Sequence, residues 1–137
     1  MKRKGIVVVE LMLLGAGFVG GLWVGSHCCK SSPSHRTIHM KVTAYCPCSK
    51  CCGKDADGKT SIGRNAKKTL GVAAAPKLLP YGTKLDIPGI GTRTVDDTGG
   101  AMRQSAKKGI WHIDVRMHSH TKARTFGVKW LDVKVFK

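Results

Sequence analysis

The sequence predicts a small, mainly β barrel carried behind an apolar N-terminal segment, and three observations predict it. Period-2 alternation recurs in short runs: Ile113, Val115 and Met117 alternate with His112, Asp114 and Arg116, and residues 84–88 and 131–136 repeat the pattern. The chain holds 17 glycines but only 6% aromatic residues, which favours many turns over a helical bundle. Turn signals separate the short strands at regular spacing, with one short helix near the end, as in a closed or nearly closed barrel.

The elements follow in order. Met1, Lys2, Arg3 and Lys4 precede residues 5–25, which are apolar except for Glu10. About 21 residues at ~1.5 Å each in a helix just cross a hydrocarbon core. Residues 1–26 therefore predict a membrane helix acting as a signal anchor, with the C-terminal domain exported. A cleaved signal peptide has the same layout, and the stretch Val24-Gly25-Ser26 offers small residues for cleavage. His27 stands where a lipoprotein site needs a small residue before Cys28. Residues 27–39, with Lys30, Ser31, Ser32, Pro33 and Ser34, predict a polar linker, and the folded domain is expected over 40–137.

Met40, Val42 and Ala44 alternate with Lys41, Thr43 and Tyr45 as a first strand. It runs into Cys46, Cys48, Cys51 and Cys52, four cysteines in one tight loop. In an exported domain disulfides are the default for such a loop. A zinc or iron–sulfur site built on those thiolates and a set of redox-active thiols are the alternatives, and four cysteines allow three pairings. Residues 55–68 form a Gly-rich loop. Residues 70–75 predict a short buried strand stopped by Pro76, residues 84–88 another, and residues 92–95 lead into Asp96, Asp97, Thr98, Gly99 and Gly100. By itself that run is a turn, since Asp caps local amides and Gly accepts positive φ. Residues 102–109 form a basic loop. Residues 121–126 predict the one helix, with Thr121 as a cap and Gly127 ending it.

The formal net charge is +16 at pH 7. So basic a chain predicts an anionic partner, whether nucleic acid, acidic lipid or an anionic wall polymer. Nucleic acid is not favoured, because the sequence has no aromatic RNA-binding motif, no zinc-finger spacing and no basic helix with heptads.

The ordered set Thr43-Ala44-Tyr45, residues 58–63, residues 79–84, Ile87-Pro88-Gly89, residues 95–100, Ile113-Asp114-Val115 and residues 120–127 resembles one family. This is the three-aspartate domain of bacterial cell-wall proteins, a six-stranded double-psi β-barrel shared with membrane-bound lytic transglycosylase A and with stationary-phase and resuscitation proteins. The resemblance implies that Asp114 is the catalytic acid and Asp97 a second family aspartate, with Ala75 standing where the first would be. It implies substrate contacts from Thr60, Thr98, Gly99, Gly100 and His120, to which the residues add Lys84 and Arg116 as partners for peptidoglycan carboxylates. Asp96 reads as a solvated neighbour. His112, His118 and His120 are ordinary surface histidines here, and no metal or other cofactor is expected.

Enzymes of that family cleave peptidoglycan glycan strands, the muramic C6 hydroxyl attacking the anomeric carbon to leave a 1,6-anhydro end. One carboxyl acting first as acid and then as base suffices, because the nucleophile is held within the substrate. The expectation is thus an exported, monomeric muralytic enzyme, anchored to the membrane or released to the wall. A non-catalytic, expansin-like peptidoglycan-binding barrel is the alternative, since Ala75 lacks a carboxylate.

Overall fold

The computed structural model describes residues 34–137. The expected membrane helix or signal peptide and most of the expected linker lie outside the described residues. Among the described residues no helix is long and apolar enough to cross a membrane.

Six strands close into a barrel. In chain order they are β1 (His35–Tyr45), β2 (Val72–Ala74), β3 (Lys84–Ile87), β4 (Gly91–Asp97), β5 (His112–Arg116) and β6 (Lys129–Phe136). Around the barrel the order is β1-β5-β2-β4-β3-β6. The β1–β5 and β2–β4 pairs are parallel, and the others are antiparallel. The interior is filled by Met40, Val42, Val72, Ala74, Leu79, Leu85, Ile87, Val95, Ile113, Val115, Val133 and Val135. Apart from Leu79, which lies in the turn between β2 and β3, these are the inward members of the strands, and their burial supplies the main driving force for closure. A mainly β small barrel is what the alternation predicts, and six strands are the number that the family resemblance implies.

Three differences have physical causes. The first strand starts at His35, inside the stretch expected to be linker, because β6 pairs with it continuously from His35↔Phe136 to Val42↔Lys129. That partner lies about 100 residues away and leaves no local signal. The basic loop is α2 (Gly100–Lys107), not a loop: Met102 and Ala106, four residues apart, share one helix face. They pack on Ala73 and Ala75 as a second small apolar cluster. Ala75, where the resemblance implies a carboxylate, is thus buried in apolar packing beneath α2. The expected helix is α3 (His120–Phe126), capped by Ser119 through the Lys122 amide instead of by Thr121. Gly127 ends it at φ 65°, as expected. A four-residue helix, α1 (Ser49–Cys52), completes the set in the cysteine loop.

Candidate functional site

Ala73 in β2 organises one end of the barrel. It pairs with Asp97 on β4 and with Asp114 on β5. Two interstrand spacings of ~4.8 Å separate the aspartate backbones by roughly 10 Å. Both carboxylates open into a cleft of about 650 Å³. Thr60, Ser61, Thr98, Gly99, Gly100 and Arg103 also line it, with Tyr45 and Met102 in its wall.

Asp97 is saturated with donors. Its Oδ1 accepts from the Ser61 hydroxyl at 2.6 Å, the Ser61 amide at 3.0 Å and the Thr98 amide at 2.8 Å. Its Oδ2 accepts from the Tyr45 hydroxyl at 2.6 Å. Burial works to raise its pKa, but the bonds from Ser61, Tyr45 and Thr98 outweigh it and hold the carboxyl below the usual range. Burial keeps the Tyr45 phenol protonated, and its bond to Asp97 adds to the effect.

Asp114 has one donor, the Thr43 hydroxyl at 2.9 Å, its register partner on β1. Burial between apolar strands pushes its pKa up to about 6, against the Thr43 bond and with a smaller push from the Asp97 charge. Thr43 also lies 3.1 Å from His112 Nε2, and His112 Nδ1 is 2.9 Å from the Ser105 hydroxyl. Burial and then Lys41 lower the His112 pKa, which favours the neutral ring. A neutral ring satisfies every partner in one arrangement: Ser105 donates to Nδ1, Nε2–H donates to Thr43, and Thr43 donates to Asp114. Thr43, His112 and Ser105 thus form a chain of contacts ending on the Asp114 carboxyl; alternation put His112 on the Asp114 face of its strand but gave no sign of Thr43 or Ser105.

Several expected residues lie elsewhere. Arg116 is 1% exposed and cannot reach a ligand. Its Nη2 donates to both oxygens of Asp96, at 2.6 and 2.5 Å, its Nη1 to the Tyr45 hydroxyl at 3.2 Å, and its Nε to the Thr69 carbonyl. Asp96, expected in solvent, is 2% exposed. The buried pair is the foundation of the Asp97 wall, because Arg116 holds Tyr45 and Tyr45 holds Asp97. Gly71 is required there: a Cβ would fall inside the Asp96 carboxylate and the Arg116 guanidinium. Lys84 is exposed at the start of β3 and does not line the cleft. Thr60 lines the cleft, but its hydroxyl is engaged by the Arg64 amide at 3.1 Å. His120 faces the cysteine loop, 3.3 Å from Cys51 Sγ, instead of the cleft. The expected disulfide is not formed: Cys46, Cys48, Cys51 and Cys52 are free thiols, three of them turned toward His120.

No family model matches the chain. It is 38% identical over 64 residues to the cell wall-binding protein YocH of Bacillus subtilis (strain 168), a match covering 47% of this chain. The chain spans about a fifth of the length of that curated relative.

Proposed function

We propose that this barrel binds the glycan strands of the bacterial cell wall in the cleft between Asp97 and Asp114. The supporting observation is an open, polar cleft flanked by carboxylates and backbone amides, on a strongly basic domain similar to part of a cell wall-binding protein. Amino sugars present hydroxyl and acetamido groups that such a rim satisfies, and the +16 charge adds attraction to anionic wall polymers. This function assigns the domain to the cell envelope. The test is co-sedimentation of the full chain with purified sacculi, with Asp97→Ala weakening capture. Equal recovery of the Asp97→Ala and parent chains would count against the cleft as the binding site.

A second reading rests on two carboxylates that share one cleft while their surroundings shift them in opposite directions, burial raising the pKa of Asp114 and, at Asp97, hydrogen bonds outweighing burial to lower it. Two titratable groups whose surroundings push their pKa values apart are the usual acid–base arrangement. Protonated Asp114 gives its proton to the glycosidic oxygen as the bond from the anomeric carbon breaks. The muramic C6 hydroxyl then bonds to that carbon and returns its proton to the Asp114 carboxylate, leaving the acid as it began. Ionised Asp97 stabilises the positive charge developing on the ring. Product analysis separates the readings: anhydromuropeptides from a lytic enzyme, intact strands from a binder.

A further inference from the structure

Away from the cleft, the molecule gathers three thiols and an imidazole at one point. Cys46, Cys48 and Cys51 come from one short loop, and His120 arrives from the start of α3, about 70 residues on. Their ligating atoms all lie within 4.8 Å of one another. His120 Nδ1 is 3.6 Å from Cys46 Sγ, 3.6 Å from Cys48 Sγ and 3.3 Å from Cys51 Sγ. The sulfurs of Cys46 and Cys51 are 3.5 Å apart.

Tetrahedral zinc, with sulfur at about 2.3 Å and nitrogen at about 2.0–2.1 Å, sets S–N edges near ~3.6 Å and S–S edges near ~3.8 Å. Four measured edges match that figure to within ~0.3 Å. The fifth, Cys46 to Cys48, is 2.7 Å and opens by about 1 Å with a small rotation of the partly exposed Cys48 side chain. We propose that Cys46, Cys48, Cys51 and His120 form a structural zinc site. Four protein ligands leave no open position, which is the mark of a structural rather than a catalytic centre.

The loop also needs such a tie. Neither α1 nor the 3-10 turn Gly53–Asp55 that follows it contains a buried residue. Helices this short do not hold themselves together in water, so nothing apolar fixes residues 49–55. A metal bound at Cys46, the residue after Tyr45, and at His120 ties the exit of β1 to the start of α3. The same loop contributes Pro47, Cys51, Cys52, Lys54 and Asp55 to the cleft wall, so its position shapes the site. Cys52 stands apart, its thiol directed to the Cys46 carbonyl at 3.4 Å.

The test measures metal content of the full chain, purified with reductant and loaded with zinc, after gel filtration. One equivalent of zinc is expected. Cobalt in its place should give the intense thiolate-to-metal absorption and visible bands of a tetrahedral site. The Cys52→Ser chain and a Cys28→Ser/Cys29→Ser chain should keep the full equivalent. Cys51→Ser and His120→Ala should lose most of it, and His120→Cys should retain it, which separates ligand loss from misfolding. Protection of three thiols from alkylation by zinc, reversed by chelator, gives a readout independent of any activity. Absence of stoichiometric zinc, iron in its place, a six-coordinate cobalt spectrum, or zinc that leaves with Cys28 and Cys29 would each overturn the assignment.

Discussion

The two walls of the cleft carry the same side chain in opposite surroundings. At Asp97 four hydrogen-bond donors converge on one carboxylate, while Asp114, one strand beyond Ala73, receives one donor from a neighbouring strand. Burial pushes both pKa values up, and more of Asp114 is buried, so burial alone does not hold Asp97 low. The count of donors does, and it comes from the loops: Ser61 and Thr98 belong to the Asp97 wall, whereas Asp114 is enclosed by strands whose amides are already paired.

The largest test of that contrast is chemical. Under the lytic reading, Asp114→Asn lowers release of anhydromuropeptides by about 10²–10⁴-fold, the range for loss of a general acid. Asp97→Asn lowers it less and moves the pH optimum. Similar losses in both would erase the difference between the walls.

Next comes the foundation of the Asp97 wall. Arg116→Met leaves Asp96 buried and unpaired, at a cost of about 3–5 kcal/mol in urea unfolding. The double variant Asp96→Leu/Arg116→Met should recover much of that, because both charges leave together. A double variant no more stable than Arg116→Met would show the pair to be irreplaceable.

The pH dependence of stability gives the two walls opposite signs. The folded pKa of Asp114 is raised, so its contribution is full below the unfolded value of 3.8 and is lost as pH rises through about 6. Asp114→Asn removes the cost of ionising there and should stabilise the domain at pH 7 by on the order of 3 kcal/mol, the gain vanishing below about pH 4. The folded pKa of Asp97 is lowered, so its contribution is present above its unfolded value and lost as pH falls. Asp97→Asn should therefore destabilise at pH 7 and converge with the parent chain in acid. Thermal melts across pH 3–8 check both slopes, and parallel curves would contradict them. The smallest effect is expected from Tyr45→Phe, about 1–2 kcal/mol for the loss of a hydroxyl that bonds both Asp97 and Arg116, with the Asp97 carboxyl titrating at higher pH by NMR.

Much of this arrangement was legible in residue patterns. Alternation located β3, β5 and β6, and the family resemblance grouped Asp97 and Asp114 with Thr60, Thr98, Gly99 and Gly100, all of which line one cleft. Nonlocal pairing hid the rest. Asp96 and Arg116 each look like solvent-facing charges within their own strands, and only the packing of β4 near β5 buries them as a pair. Thr43 becomes a neighbour of Asp114 only through the parallel β1–β5 register. The glycines before Ala101 and the basic residues after it disguised α2, whose inward face is only Met102 and Ala106. The cysteine loop showed its four thiols plainly but not the imidazole that meets three of them, since His120 arrives from beyond four further strands.

The closing strand has a consequence in time. β6 is the final element in the sequence, yet it seals the barrel on both sides, pairing with β1 and with β3. Without β6, β1 lacks its antiparallel neighbour and β3 keeps only β4, so the sheet stays open at both edges. Contacts so distant along the chain make folding slow, and the barrel closes only when β6 joins those two edges.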